Sequence, residues 1–293
     1  MPREPQVPEA LSGRVFRGSF AIERGILSPG QLRSKAWRRV RRDVYADARL
    51  PVDHGLAVAA CALALPQGGL IAGRSAAWLY GIRQAAAADP VDVLIPDTAS
   101  WWSPRGTSVH LQTVPKEDVT TVGRRRLTTP SRTTLDIARW YETLVAVPII
   151  DAMLANRVVR QLDIEGQLHR ATGHGVGHAR RTLALCDGRA ESPPESVLRV
   201  RLLLAGLPAP VPQYEVWHQN QFVARVDLGW PERRVAVEYD GAYHAAPGAL
   251  CRDRRRLNAL ISAGWIVIHV TAADMHDLTS VIRQLATLLQ KTA

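Results

Sequence analysis

The sequence has few cysteines and lacks a long apolar run. Its 293 residues include three cysteines, Cys61, Cys186 and Cys251, which are far apart and form no CxxC pair. This spacing argues against a disulfide framework and against a zinc site. The richest apolar stretch, "GLAVAACALAL", is only about one short helix long, which excludes a membrane span. The first residues, "MPREPQVPEALSGRVF", lack an apolar h-region, so we expect no secretory signal and a cytoplasmic protein.

Positive charge, in contrast, is plentiful. The formal net charge is +10, and 46% of the residues are hydrophobic, enough to build real cores. This balance favours polyanionic partners, of which nucleic acid is the commonest. The many Ala, Arg and Gly residues suggest a GC-rich genome, which itself inflates the Arg content, so charge alone does not name the partner. The length suits two or three domains.

The first region, residues 1–50, has the pattern of a helix-turn-helix followed by a wing. In "FAIERGILSPGQLRSKAWRRVRRDVYADARL", Ser28 can cap a helix that has Pro29 at its first position. A short helix, a turn and a second helix would be followed by the β-prone "RDVYADA". Six of the ten residues from 33 to 42 are basic, and phosphates could be their partners. From charge alone, an ordinary solvated basic helix face is an equally good interpretation. The candidate DNA-binding residues here are Lys35, Arg38, Arg39, Arg41 and Arg42.

The second region, residues 51–188, is predicted to be a mixed α/β domain. "GLAVAACALAL" and "GRSAAWLYGI" indicate helices, and "PVDVLIP" and "TSVHLQTV" indicate strands. "PSRTTLDIARWYETLVAVPIIDAMLANRVV" predicts two helices with an interruption near Pro148. His174 and His178 in "GHGVGH" are flanked by glycines, which favours a flexible loop over a metal-ligand pair.

Several short motifs in these two regions occur in the same order as in a known protein family. "GILSPGQLRSKAWRRVRRDVYA", "IAGRSAAWLYGI", "PVDVLIP" and "LTTPSRTTLDIAR" together resemble the AbiEi-type family of antitoxins and transcription regulators. The resemblance covers about the first 185 residues and implies a winged-helix head, a mixed α/β body and DNA binding by the head. The sequence departs from the family in the short region before Gln31 and at Asp43, where the family usually has Gly.

The third region, residues 189–293, is predicted to have the order α-β-β-β-α-β-α. Ser192 and Glu195 fit an S-x-x-E capping box, which by itself gives Glu195 a structural role. Three β-like runs follow the capped helix, and then a basic helix, a strand and a final amphipathic helix. These segments are "YEVWH", "FVARVDLGW", "RVAVEYDG", "RDRRRLNALISAG", "WIVIHVT" and "DLTSVIRQLATLLQ".

Acidic side chains interrupt two of these strands. With "PERR" as the loop of a hairpin, the register places Asp227 directly opposite Glu238. Alternation puts Glu238 and Asp240 on the face of Ala236, opposite Val235, Val237 and Tyr239. On the preceding strand it puts Arg225 and Asp227 on one face and a set of apolar residues on the other. These apolar residues are Phe222, Ala224, Val226 and Leu228.

Directly opposed carboxylates destabilise a sheet unless something compensates their charge. Proton sharing, an arginine or a bound cation could do so. Oxygen ligands at this spacing suit Mg²⁺ or Mn²⁺. The alternative is that Arg225, Arg233 or Arg234 neutralises the acids on an exposed face of the sheet.

The same region resembles a family of nucleases. "ESVLRVRLLLAGLP", "RVDLGWPERRVAVEYDGAYH" and "RDRRRLNALISAGWIVIHVT" resemble the PD-(D/E)XK nuclease superfamily, in the branch related to very-short-patch (Vsr) mismatch-repair endonucleases. The resemblance implies a restriction-endonuclease-like core in which three acids gather around a divalent metal. It also implies a role for an acid, a Gly and a His just after the last of these, and for an Asp and an Arg on the next helix. On this sequence the residues are Glu195, Asp227, Glu238, Asp240, Gly241, His244, Asp253 and Arg256. Asp240 stands where the family motif has Lys, and it cannot supply positive charge.

The sequence therefore predicts an α/β protein that acts as a metal-dependent DNA endonuclease. Mg²⁺ or Mn²⁺ would be bound by Asp227, Glu238 and Asp240, with Glu195 orienting a second water or metal. His244 would be the general acid or base, and Arg256 would stabilise the transition state. The residues expected to contact the DNA backbone are Arg252, Arg254 and Arg255.

Two other interpretations remain open. One is a non-catalytic DNA-binding regulator whose nuclease-like domain is degenerate, which the missing Lys and the antitoxin-like first half favour. The other is a component of a toxin–antitoxin or phage-defence system with a corresponding partner. Convergence of the four acids in one cleft would favour the nuclease, and acids capped by internal arginines would favour the regulator.

Overall fold

The computed structural model of the protein describes residues 7–101, 105–241 and 249–290, and within 249–253 it describes the main chain only. The fold is mixed α/β, as predicted, and it divides into two compact units. One unit runs up to Trp140 and includes Val159–Gly173; the other comprises Tyr141–Val158 and the chain from His174 onward. The predicted segments 1–50, 51–188 and 189–293 divide the chain differently. Within the described residues, no helix has both the length and the apolar character that crossing a bilayer requires.

The first unit begins with a small three-stranded sheet and two short helices. The strand order is β1-β3-β2. Ser28 and Gln31 form a full capping box at the second helix, but that helix is a single turn. A strand already begins at Trp37, so the expectation of a longer second helix was wrong, and the basic residues from 37 to 41 lie on a strand. The elements are β1 (Val15–Arg17), α1 (Gly18–Glu23), α2 (Pro29–Leu32), β2 (Trp37–Arg41) and β3 (Val44–Asp47).

Asp43 forms the turn between β2 and β3 without a glycine. Its φ is +57°, in the left-handed region, which Asp tolerates better than most residues with a Cβ atom. Its carboxylate accepts hydrogen bonds from the amide and the hydroxyl of Ser19, at 2.7 and 2.6 Å. Asp43 therefore forms the β2–β3 turn and connects it to α1 through hydrogen bonds.

The larger sheet of the first unit has five strands in the order β6-β5-β4-β8-β7. The segments predicted as helices and strands from "GLAVAACALAL" to "TSVHLQTV" are confirmed. The elements are α3 (His54–Ala62), β4 (Leu70–Ile71), α4 (Gly73–Leu79), β5 (Val91–Ile95), β6 (Thr107–Leu111), β7 (Val119–Val122), β8 (Arg125–Thr128) and α5 (Pro130–Trp140).

The motif "SRTTLDIAR" forms the buried part of α5. Nε of Arg132 donates to Oδ1 of Asp136 at 2.8 Å, one helical turn away, and Nη2 donates to Oε1 of Gln112 at 2.8 Å. Both charged side chains are almost fully buried. The motif thus has a structural explanation, because a buried ion pair is tolerated only when its members are paired and hydrogen-bonded.

Three further helices follow α5 in the sequence. They are α6 (Thr143–Ala155), α7 (Gln161–Arg170) and α8 (Val176–Leu183). The predicted interruption near Pro148 is wrong. The helix breaks at Tyr141 and Glu142, and Pro148 lies inside α6, where it costs one main-chain hydrogen bond. The "GHGVGH" segment is a loop only in part, since His178 lies on α8 and its Nε2 is 3.0 Å from the carbonyl oxygen of Tyr141.

The second unit contains the four-stranded sheet β12-β11-β10-β9, in which β11 and β12 are parallel and the other neighbours are antiparallel. Its elements follow the predicted order. They are α9 (Pro193–Leu204), β9 (Val211–His218), β10 (Gln221–Trp230), β11 (Val235–Asp240), α10 (Ala249–Ser262), β12 (Ile266–Thr271) and α11 (Thr279–Gln290).

Two apolar clusters cover the faces of this sheet. The first, which we name the α9–α11 core, includes Leu198, Leu202, Leu228, Val235, Val237 and Leu285. The second, the α10 core, consists of Val216, Ala224, Val226, Ala236, Leu260, Ala263 and Trp265. The sheet is thus buried on both sides, as expected for strands between helical layers.

A buried ionic contact joins α6 to α9. Oδ2 of Asp151 accepts hydrogen bonds from Nη2 of Arg199 at 2.9 Å and from the hydroxyl of Ser196 at 2.7 Å. Burial raises the pKa of Asp151, while Arg199 acts in the opposite direction. The contact explains why α6 belongs to the same compact unit as α9.

Candidate functional site

Asp227 and Glu238 lie where the β10–β11 hairpin ladder ends. The last pair of the ladder is Leu228 with Val237, one residue short of the two acids. This is the predicted register, and the predicted four-residue loop is a 3-10 turn closed by Arg234 in the left-handed region. Continuing the register places Asp227 across from Glu238, at the point where the strands separate.

The side-chain alternation of β10 breaks at Asp227. Val226 packs in the α10 core, whereas Leu228 packs in the α9–α11 core. In a regular strand these two residues would share a face, so the prediction that they do is wrong. Across the sheet on β9, Gln213 has φ of +51°, which residues other than glycine seldom adopt. The irregularity removes Asp227 from the regular pleat.

The Asp227 carboxylate is partly buried and bound to the two neighbouring strands. Oδ2 accepts a hydrogen bond from the Tyr239 amide at 2.8 Å, and Oδ1 accepts a long one from Nε2 of Gln213 at 3.4 Å. Burial raises the pKa of Asp227 to about 6, and the charges of Glu195 and Glu238 act in the same direction. A carboxyl group perturbed by burial and by neighbouring acids is typical of functional sites.

Glu195 belongs to the cap of α9, as predicted. Its amide donates to the hydroxyl of Ser192 at 3.4 Å, and the Ser192 hydroxyl donates to Oε1 at 2.6 Å. Oε2 accepts from the Glu191 amide at 3.0 Å and from Nε2 of Gln213 at 2.9 Å. The cap therefore fixes Glu195, and Gln213 links it to Asp227.

Glu238 lies on the α10 side of the sheet, as its alternation with Ala236 predicts. Its side chain is 5% exposed, and its two oxygens accept hydrogen bonds from Nη1 and Nη2 of Arg256, both at 2.6 Å. Nη1 of Arg256 also donates to the carbonyl oxygen of Arg225 at 3.2 Å. Such a bidentate pair is among the stronger ionic contacts. The guanidinium of Arg225, proposed above as a neutralising group, pairs instead with Glu191 at 2.6 Å.

Asp240 is more exposed than the other acids and has a different partner. Nδ1 of His269 lies 3.0 Å from Oδ2 of Asp240 and 4.0 Å from Oε2 of Glu238. The contact arises because β11 and β12 are parallel, with Glu238 opposite His269. His269 thus lies beside both Glu238 and Asp240.

The remaining residues predicted for the C-terminal site lie on or before α10. Arg254 and Arg255 are exposed, so they can reach a DNA backbone. His244 and the side chains of Arg252 and Asp253 lie outside the described residues.

The donor chemistry of the site fits a hard divalent cation. Carboxylate oxygens are ligands that Mg²⁺ and Mn²⁺ prefer, and Glu195 and Asp227 share the amide of Gln213 between them. Across the described ranges, no group of three or more His, Cys, Asp and Glu side chains could hold a metal as it stands. The ligand set Asp227, Glu238 and Asp240 stays a prediction.

The predicted DNA-binding residues of the head fall into two groups. Lys35, Arg39 and Arg42 are exposed. Arg38 donates to the carbonyl oxygens of Leu50 and Ala48 at 3.0 and 2.9 Å, and Arg41 donates to those of residues 105 and 106 at 3.3 and 3.4 Å. The first group is available to phosphates, whereas the second is engaged by the protein's own main chain.

Sequence reasoning missed Gln213 and His269. A glutamine inside a β-like run has no signature of function, and its left-handed backbone is not visible in "PVPQYEVWH". His269 lies in the strand "WIVIHVT", and its proximity to Glu238 depends on parallel pairing with β11. Working out that pairing for the predicted β-α-β order could have identified His269.

Comparisons with known proteins give relatives but no function. Two proteins from different strains of Mycobacterium tuberculosis, both named only as uncharacterized, are 33% identical to the chain over 156 residues. The match covers 53% of this chain, and the chain spans somewhat more than half, 58%, of the length of these relatives. No family model matches the sequence, and no solved structure matches it.

Proposed function

We propose that the protein is a metal-dependent endonuclease that hydrolyses phosphodiester bonds in DNA. The observation that carries the proposal is the position of Asp227, one residue beyond the last β10–β11 pair, where Gln213 links it to Glu195 and where it is close enough to Glu238 for that charge to raise its pKa. Acids from a helix and two strands thus approach one another at a single irregular point of a sheet, which is costly unless a cation or protons compensate.

Each residue of the site would have a separate role in phosphodiester hydrolysis. Bound at Asp227 and Glu195, a divalent cation would polarise the scissile phosphate and lower the pKa of a bound water. Glu238 would orient Arg256, whose guanidinium suits the charge that develops on the phosphate. Asp240 and His269 would flank the reacting group, and His244 remains the predicted general acid or base.

Binding of DNA would use two basic surfaces. On α10, Arg254 and Arg255 are exposed close along the chain to Arg256, and Arg252 is predicted to join them. On the head, Lys35, Arg39 and Arg42 are exposed beside the β2–β3 hairpin. The β2–β3 hairpin supports the wing of the proposed winged-helix likeness, whereas the single-turn α2 is shorter than the helix that the likeness implies. The order α9 to α11 supports the proposed restriction-endonuclease-like core.

A plasmid assay tests the proposal. Supercoiled plasmid is incubated with the protein in Mg²⁺, in Mn²⁺ or in EDTA, and DNA binding is measured separately in EDTA. We expect nicking in either metal and none in EDTA. The Asp227→Asn variant should bind DNA like the wild type but should not nick it, because it loses the anionic ligand. Nicking by this variant at the wild-type rate would rule out the assignment.

The second candidate is a DNA-binding regulator without catalytic activity. The observation that favours it is Arg256, which binds both oxygens of Glu238, together with Asp240 in place of the motif lysine. In that case the basic surfaces would bind DNA, and the acids would serve the fold or contact a partner. A wild-type protein that binds DNA in EDTA but leaves the plasmid intact in both metals would support this candidate over the nuclease.

A further inference from the structure

We propose that Gln213 is a positioning residue of this site, whose side-chain amide holds Glu195 and Asp227 at the spacing that a divalent cation requires. The inference rests on the function proposed above, because it concerns the cation of the same site. Nε2 of Gln213 lies 2.9 Å from Oε2 of Glu195 and 3.4 Å from Oδ1 of Asp227. One side chain thus connects the acid on α9 to the acid on β10.

The backbone of Gln213 is held in an unfavourable conformation that no turn explains. Its φ is +51°, yet it lies within β9, between residues 212 and 214, which pair with Leu228 and Val226. Left-handed backbone is costly for a residue with a Cβ atom, and such outliers persist mainly where the surrounding structure or a functional site maintains them. Here the outlier lies opposite Asp227, where the alternation of β10 breaks.

The groups that bind the four acids differ in charge. Glu238 is bound by the guanidinium of Arg256, and Asp240 is bound by the ring of His269. The group between Glu195 and Asp227 is a neutral amide. A cation that binds the free oxygens of these two acids, beside the amide, is therefore attracted by both carboxylates and does not have to displace another full charge.

Two glycine variants separate this role from a general effect on folding. Gln213→Gly removes the amide from a left-handed position where glycine is unstrained. Gln219→Gly is the matched control, because Gln219 is also left-handed, with φ of +48°, and lies in the exposed β9–β10 turn. Mn²⁺ binding is measured by calorimetry on the full chain without DNA, and plasmid nicking is measured as a function of Mg²⁺ concentration.

We expect Gln219→Gly to bind Mn²⁺ like the wild type and Gln213→Gly to bind it roughly 10-fold more weakly, the usual effect of losing a group that orients a ligand. Nicking by Gln213→Gly should need correspondingly more Mg²⁺ and should approach the wild-type rate at saturation. Equal Mn²⁺ affinity of the two variants, in a protein that nicks DNA, would overturn the role of Gln213 and leave the nuclease proposal standing. A wild type that neither binds Mn²⁺ nor nicks DNA would overturn both.

Discussion

Asp227 holds its proton more tightly than an ordinary aspartate because of its place in the strand. Its burial, together with the charges of Glu195 and Glu238, raises its pKa to about 6. The sequence predicted the register of the hairpin, since the loop length sets it, and the pairs from Leu228 to Trp230 confirm that register. It could not predict the break in the alternation of β10, which lies opposite the left-handed Gln213 on the neighbouring strand β9.

This pKa makes stability depend on pH. The pKa of Asp227 in the folded protein lies above its ordinary value of 3.8, so its contribution to stability is present at low pH and is lost as the pH rises from about 4 through 6. One pKa unit corresponds to about 1.4 kcal/mol. The Asp227→Asn variant cannot titrate at this position. Allowing for partial exposure, we expect its free energy of unfolding to rise by roughly 1–2 kcal/mol relative to that of the wild type between pH 4.5 and 7.5.

Urea unfolding at several pH values measures this gain. The difference in free energy of unfolding between the variant and the wild type isolates Asp227 from the other titrating groups. A difference that does not change across the pH range would show that Asp227 titrates normally.

Among the elements, those bounded by clear local signals were predictable. The capped helix α9 and the strands β9 to β12 follow from capping residues, turn residues and apolar runs. The break between α5 and α6 was misplaced because Tyr141 and Glu142 are not helix breakers, whereas Pro148 usually is. Asp151 on α6 accepts a hydrogen bond from Ser196 on α9, 45 residues later in the sequence, and no local sequence pattern predicts such a contact.

The pair of Asp151 and Arg199 should be a main determinant of the packing of α6 on α9. Arg199→Met leaves a buried carboxylate without its partner, and we expect it to lower the free energy of unfolding by roughly 3 kcal/mol. Arg189→Ala is the control, since Arg189 is 57% exposed in its pair with Asp187 and should cost less than about 1 kcal/mol. Urea unfolding measures both, and equal effects of the two variants would contradict this account of the packing.

The β2–β3 hairpin of the head should contact DNA through its exposed cations. Arg39→Ala combined with Arg42→Ala should weaken binding in EDTA. It should also reduce the slope of log affinity against log salt by about 1 for each phosphate that the variant no longer neutralises. Arg38 donates to two main-chain carbonyls, so Arg38→Ala should lower thermal stability more than it lowers this slope. An unchanged slope in the double variant would exclude the hairpin from the DNA interface.

For the whole molecule, net charge and composition pointed to a nucleic-acid partner but could not identify the reaction. A charge of +10 attracts DNA whether or not the protein cleaves it. What distinguishes a nuclease from a regulator is the chemistry around Asp227, where Arg256 and Gln213 take part. Side chains on three elements make that arrangement, and only the folded chain brings them together.

The most direct test of the central claim is the rate of plasmid nicking in Mg²⁺, compared among the wild type, Asp227→Asn and Asp163→Asn. Asp163 is a half-exposed aspartate of the first unit, paired with Arg160, and it controls for the change from carboxylate to amide. We predict that Asp227→Asn nicks at least about 100-fold more slowly, while Asp163→Asn matches the wild type and all three proteins bind DNA equally in EDTA. Equal nicking rates for the three proteins, or no nicking by any of them, would contradict the claim.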